Sequence, residues 1–220
     1  MTDLENRSWP RGSKLKSCIA GAMALIVFSS APLVLSSASL SAQSMRPAAA
    51  RINSYYQQLM PTIRQASQLS VRERDRRFWP AISSAFDLAT MTRLAVGPAW
   101  SSFSPAQQSA VRDAFAHFLV AEYASQVSDY SGESVVVEPQ TSPESRGGGE
   151  IVMTKLVQSG GRSVTINYLV RGGRVIDVYL NGTVSDLALR RDEFASVIAS
   201  GGADALIKRL RERTQELLGG

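Results

Sequence analysis

The hydropathy of this chain changes period twice, and that change limits its fold more than any single motif. Residues 46–131 repeat apolar side chains at helical spacing, residues 134–182 alternate as strands do, and the tail returns to helical spacing. A helical block, a run of strands and a closing helical block argue for α+β. They argue against a parallel sheet, in which strands and helices alternate. The expected body is a twisted antiparallel sheet wrapped by helices, cone-like, with an interior that is either core or cavity.

Local signals set the expected boundaries. Pro47 suits a first helical turn, and Ile52, Tyr55, Tyr56, Leu59 and Ile63 form the stripe of a helix running to about Leu69, kinked at Pro61. Ser70-Val71-Arg72-Glu73 reads as a capping box that restarts the chain as a second helix toward Phe86. Asp87 is the expected cap of a short third helix, Leu88–Val96, closed by Gly97-Pro98. Ser104-Pro105-Ala106-Gln107 opens a fourth, Pro105–Tyr130, whose stripe is Val111, Phe115, Phe118, Leu119, Tyr123, Val127 and Tyr130, and Gly132 ends it. Strands are expected at Ser134–Glu138, Glu150–Gln158, Arg162–Val170 and Arg174–Asn181. Turns at Gly160-Gly161 and Arg171-Gly172-Gly173 make the last three an antiparallel meander, and Pro139–Gly149 reads as a mobile polar loop. Val164, Ile166, Tyr168 and Val170 share one strand face; Ile176, Val178 and Leu180 share another, and both faces are expected to meet the helices. Closing helices are expected at Ser185–Ala199 and Ala203–Leu218, parted by Gly201-Gly202.

The first forty residues are of another kind. Arg7, Arg11, Lys14 and Lys16 precede an apolar run from Cys18 to Leu35, broken by Gly21, Ser29, Ser30 and Pro32, and small residues follow to Ala42. Residues 1–42 therefore read as a secretory signal peptide, cut after Ala38 or Ala42, with residues 43–220 as the mature domain. An uncleaved anchor is the competing reading, because the run approaches the length needed to span a bilayer. No Cys follows the run, which argues against a lipoprotein anchor. Removing the signal leaves 20 basic and 17 acidic side chains, so the basic whole-chain balance of +5 owes much to the signal. No basic stripe interleaves with aromatics, and nucleic-acid binding is not expected. Arg72, Arg74, Arg76 and Arg77, interrupted by Glu73 and Asp75, read as a solvated helix face.

Residue counts exclude much chemistry. One Cys and one His leave neither a disulfide framework nor a cysteine or multi-histidine metal site, so no metal and no cofactor are expected. Gly147-Gly148-Gly149 precedes a strand instead of a helix, unlike a phosphate loop, and no Gly-x-Ser-x-Gly elbow appears. His117 is expected to face solvent. Asp177, inside a strand and opposite Ile176 and Val178, is either a structural hydrogen-bonding acid or a buried acid of raised pKa that could serve as a base on an apolar substrate. Without a nucleophile, a metal set or a paired acid, an enzyme has little support. What remains is large apolar side chains: Trp79, Phe86, Met91, Leu94, Trp100, Phe103, Phe115, Phe118, Tyr123 and Tyr168.

An ordered set of short segments resembles the MlaC family of periplasmic lipid-transport proteins, also called toluene-tolerance proteins. It runs through Phe86-Asp87-Leu88, Met91, Leu94, Val96-Gly97-Pro98-Ala99-Trp100, Ser104-Pro105-Ala106-Gln107, Phe115, Phe118-Leu119 and Tyr123-Ala124. It continues through Tyr168-Leu169-Val170, Val175-Ile176-Asp177-Val178, Gly182, Ser185, Arg191-Asp192-Glu193-Phe194, Gly201-Gly202 and Leu206. Two departures stand out. Gly173 occupies a position where the family usually carries Trp, and Gly182-Thr183-Val184-Ser185 is one residue longer than the family's turn. They point to the hopanoid-associated HpnM branch as an alternative for the ligand.

The resemblance implies an apolar lipid pocket within the α+β body. It also implies carriage of phospholipid between an inner-membrane ABC transporter and an outer-membrane lipoprotein complex, hence the periplasm. The lining it implies is Phe86, Leu94, Phe115, Leu119, Tyr123, Val164, Ile166, Tyr168, Val178 and Leu180, with the pocket between a sheet face and the long fourth helix. A cone-fold enzyme using Asp177 and a filled-core scaffold of a membrane transporter are the competing functions.

Overall fold

The computed structural model describes residues 44–219 apart from 129 and 146. Residues 1–42, expected from sequence to be a signal, and with them Cys18, Ala38 and Ala42, lie outside the described residues. Those residues form helices α1 (Pro47–Ile63), α2 (Val71–Ala85), α3 (Leu88–Val96), α4 (Pro105–Gln126) and α5 (Asp186–Gly219). Between α4 and α5 run strands β1 (Ser134–Pro143), β2 (Glu150–Val157), β3 (Ser163–Arg171), β4 (Arg174–Leu180) and β5 (Val184–Ser185). The strands make one antiparallel meander in the order β1-β2-β3-β4-β5. The fold is α+β, as the change of period requires.

The capping signals account for most helix starts. Ser104 Oγ accepts from Gln107 N–H at 3.2 Å while Gln107 Oε1 accepts from Ser104 N–H at 3.1 Å, a complete box at the head of α4. Asp87 accepts from Thr90 N–H at 3.0 Å to open α3. At α2 only half of the expected box forms. Ser70 Oγ accepts from Glu73 N–H, but the Glu73 carboxylate turns to Arg76 and Arg77 instead of back to the Ser70 amide.

The ends moved where tertiary contacts intervene. α1 stops at Ile63, soon after Pro61 removes a ladder donor, and a short 3₁₀ turn, Ala66–Gln68, replaces the kinked last turns expected to Leu69. α4 ends at Gln126, short of Tyr130 and Gly132. Strand β1 runs on to Pro143 through half of the expected loop. Its register slips between Val137 and Thr141, and Pro139, which has no N–H to lose there, accepts instead from Arg46 N–H at 2.9 Å. The arginine cluster is not wholly solvated either. Arg74 is buried, because it stands one turn from Phe78 on the stripe that continues to Ala81, Ile82 and Ala85.

Two glycines define the β3–β4 hairpin. Gly172 and Gly173 carry φ of 57° and 75° in a two-residue connection, the left-handed pair that a type I′ turn demands. A tryptophan at position 173 would be strained in that backbone. A bulge between Leu169 and Val170 then pairs Val170 with Val175. That slip overturns the expected face: Val175 joins Val178 in the main core, with Leu180 half-buried against it, while Ile176 is buried outside it. In α5 the backbone leaves helical geometry at Gly201 and Gly202, which divides the element where the two closing helices were expected to part. No helix among the described residues is long and apolar enough to cross a membrane.

Candidate functional site

The helix laid along the sheet is α1, which lies against β1 and β2; the long helix α4 packs chiefly on α2, α3 and α5. Between α1 and the sheet lies a knot of aromatic rings. Tyr55 and Phe86 stand 5.1 Å apart, Tyr55 and Tyr168 6.2 Å, and Phe86 and Tyr168 6.3 Å between centroids. Tyr123 of α4 reaches the same knot, 6.3 Å from Phe86. These edge-on and tilted contacts suit the ring quadrupoles, and each ring adds a large apolar area.

Side-chain hydroxyls meet across this knot: those of Tyr56 on α1 and Tyr168 on β3 are 2.6 Å apart, and Thr154 of β2 is a second hydrogen-bonding neighbour of Tyr56. Burial raises the pKa of Tyr55, Tyr123 and Tyr168 well above the ordinary phenol value, and burial also raises Tyr56 against its hydrogen bond with Tyr168. All four are neutral at physiological pH. Such a site offers an apolar, uncharged surface with a few neutral hydroxyls, and none of these four phenols is poised to take or give a proton near neutrality.

The predicted lining residues divide by depth. Phe86, Phe115, Leu119, Tyr168 and Val178 are buried in one continuous core, and Leu94, Tyr123, Ile166 and Leu180 are half-buried against it. Val164 stands apart, half-buried outside that core, because it lies near the far end of β3 opposite Leu156. Phe115 looks toward α5, with its ring 6.2 Å from Phe194. The expected placement between sheet and α4 therefore changes: α1 supplies the helical wall, through Tyr55 and Tyr56. Both tyrosines were visible in the α1 stripe, but their adjacency gave no sign that one would bond to a strand residue more than a hundred positions away.

Two recesses flank this interior. One, of about 440 Å³, lies between α4 and the second arm of α5 beside Ala110, Ile207, Lys208 and Glu212. The other, of about 370 Å³, opens between the start of α1 and the β3–β4 hairpin and includes Ala48, Arg51, Glu150, Val170 and Arg171.

Asp177 serves the chain itself. Its carboxylate accepts from Val178 N–H at 2.8 Å, Ser185 Oγ–H at 2.6 Å and Leu187 N–H at 3.3 Å, so it ties β4 to the first turn of α5. Burial raises its pKa while these donors oppose the rise. His117 is exposed, stacked on Trp79 at 4.8 Å. Among the described residues, no three His, Cys, Asp or Glu side chains group closely enough to hold a metal ion.

A family model described as MlaC protein matches residues 53–212. The fold is similar to that of a phospholipid-binding protein from Ralstonia solanacearum, solved in complex with a phospholipid. The TM-score is 0.66 at 22% identity, over 77% of this chain and 98% of that one. No curated protein matches the chain.

Proposed function

This chain belongs to the MlaC family, and on that premise we propose that it is a lipid-binding carrier, not an enzyme, that takes phospholipid across the periplasm. The observation that carries the reading is the family match over residues 53–212. The α+β body shared with the phospholipid-binding protein of Ralstonia solanacearum supports it. So does the neutral aromatic interior between α1 and the sheet.

The physical need is large. Each exposed methylene costs about 0.8 kcal/mol in water, and a two-tailed lipid has on the order of thirty, so roughly 20 kcal/mol or more opposes its free passage. A protein that covers the tails removes that barrier. In this conformation the rings of Tyr55, Phe86 and Tyr168 meet one another across the α1–sheet boundary. Loading then consists of parting α1 from β3, breaking the Tyr56–Tyr168 bond and replacing ring–ring contact with ring–tail contact. The exchange of one apolar contact for another is nearly neutral, which is what a carrier that must also release its cargo needs. Phe86, Leu94, Tyr123, Val164, Ile166, Tyr168, Val178 and Leu180 are the proposed lining of the loaded form, extended by Tyr55 and Tyr56, with Phe115 and Leu119 as the fixed wall behind it on the α4–α5 side.

Residues 1–42 are the proposed export signal and 43–220 the carrier. The proposed donor and acceptor are an inner-membrane ABC transporter and an outer-membrane lipoprotein complex. The test is organic extraction of the protein purified from cells without detergent, followed by mass spectrometry. A glycerophospholipid in stoichiometric amount is the expected result. A hopanoid in its place would assign the chain to the hopanoid branch, and an empty extract would overturn the carrier reading.

A further inference from the structure

The sheet face that meets α1 is apolar except at one point. Of the side chains that β2 and β3 turn toward α1, all are aliphatic but Glu150, Thr154 and Tyr168. Glu150 stands at the rim, where it accepts from Thr141 Oγ–H at 2.6 Å and lies 3.8 Å from Arg46. Thr154 and Tyr168 are deep, 1% and 4% exposed. Thr154 pairs with Ile166 and Tyr168 with Val152, so the two are diagonal neighbours across the β2–β3 ladder. Tyr56 of α1 closes the group, and three hydroxyls from three elements gather within an otherwise greasy wall.

The proton of each hydroxyl can be traced. Thr154 Oγ–H donates to Ile166 O, the carbonyl of its cross-strand partner. A threonine hydroxyl has one proton, so toward Tyr56 Thr154 can only accept. Tyr56 therefore donates to Thr154 and, 2.6 Å away, accepts from Tyr168. Withdrawal of α1 takes out the middle member of this chain. Thr154 keeps its acceptor, but Tyr168 and Tyr56 each lose theirs, and both freed groups are O–H donors. A donor left unmatched in an apolar compartment bears its full desolvation cost. Each tail of a diacyl lipid begins at an ester carbonyl, which accepts and does not donate. The rings and hydroxyls around it are neutral, so a carbonyl enters without burying charge, which a phosphate could not do.

We propose that in the loaded form Tyr56 and Tyr168 donate to the acyl ester carbonyls of a diacyl lipid, so that the protein selects ester-linked over ether-linked glycerolipids. The proposal rests on the carrier reading and adds to it the residues that set lipid specificity. Two donors are released on opening and two carbonyls arrive with the cargo, so loading exchanges hydrogen bonds as well as apolar contacts. A site built to hydrogen-bond a ligand group discriminates strongly against the analogue that lacks it.

The test uses the delipidated full-length protein and displacement of a fluorescent-tailed phospholipid by three probes of equal chain length: diacyl phosphatidylglycerol, its dialkyl ether analogue and diacylglycerol. The ether analogue keeps the phosphate and lacks the carbonyls; diacylglycerol keeps the carbonyls and lacks the phosphate. The wild-type protein should bind the diacyl phospholipid about tenfold more tightly than the dialkyl one. In the double variant Tyr56→Phe with Tyr168→Phe, which keeps both rings, that ratio should fall to about twofold or less, and diacylglycerol should lose affinity by the same factor as the diacyl phospholipid. Tyr56→Phe alone, at a half-buried position, should give an intermediate ratio and reads the site if the double variant does not fold. Equal affinity of the wild type for the two phospholipids, a ratio unchanged in the variants, or a loss confined to the probes that carry phosphate would overturn the site while leaving the carrier reading intact. Failure of the wild-type protein to bind any of the three would overturn the carrier reading, and this proposal with it.

Discussion

The α4–α5 side of the interior and the α1–sheet side are built from different chemistry. Between α4 and α5, Phe115 meets Phe194, and Arg190 is buried beside Asp186 and Glu122 with its guanidinium 5.4 Å from the Phe118 ring. Burial by itself would lower the Arg190 pKa, but the two carboxylates outweigh it and hold the cation above its ordinary value. Such a network cannot open without stranding charge in a dry interior. Between α1 and the sheet there are rings and neutral hydroxyls of Tyr56, Tyr168 and Thr154, and no buried charge is stranded when they part. On that contrast the first side is the expected frame, and the second is the side proposed to move.

Cavity formation tests that contrast most severely. Phe115→Ala should lose about 3–5 kcal/mol in denaturant unfolding, because the frame cannot collapse around the void. A loss near 1 kcal/mol would mean that the α4–α5 side is also soft. Added bulk should separate the two sides next. Leu119→Trp, at a fully buried position of α4, should cost about 1–3 kcal/mol or more. Ile166→Trp, half-buried on β3, should cost less than Leu119→Trp yet abolish uptake of a fluorescent-tailed phospholipid. Equal stability losses would erase the distinction.

The junction between the two sides can be probed by pH. Asp87 N–H donates to Val175 O at 2.8 Å while its carboxylate caps α3. Burial would raise its pKa, but the Thr90 amide and hydroxyl lower it, with help from Arg174 and Arg93, and the net shift is downward. A lowered carboxylate pKa stabilises the fold above the unfolded value of about 3.9, and the contribution disappears as pH falls through the folded value. Asp87→Ala should therefore cost about 1 kcal/mol at neutral pH and progressively less below about pH 4. A cost that persists unchanged in acid would assign the effect to packing.

The smallest expected change is the most specific to the moving side. Tyr168→Phe removes the Tyr56–Tyr168 hydroxyl pair and should cost about 0.5–1.5 kcal/mol. Hydrogen exchange should quicken in α1 and stay unchanged in α4. Uniform acceleration in both would show that the two sides open as one unit.

Where structure depends on neighbours in sequence, reading the chain succeeded. The box at Ser104–Gln107, the Asp87 cap and the Gly172-Gly173 turn are local hydrogen-bond or steric arrangements, complete within four residues. Face assignment along β4 failed for a reason that alternation cannot express. The bulge at Leu169/Val170 shifts parity by one, so Val175 enters the core in the place expected for Ile176. The Tyr56–Tyr168 pairing was equally hidden. The two residues are 112 positions apart, and only the docking of α1 across the sheet brings their hydroxyls together.

Sequence alone determined the α+β class, the helix caps and the hairpin turn, because periodicity and short-range hydrogen bonding act within a few residues of each position. Tertiary structure decided which helix covers the sheet and which tyrosines meet there. Packing selects among several amphipathic stripes of similar strength by shape and by the twist and bulges of the sheet, and those are properties of the assembled chain.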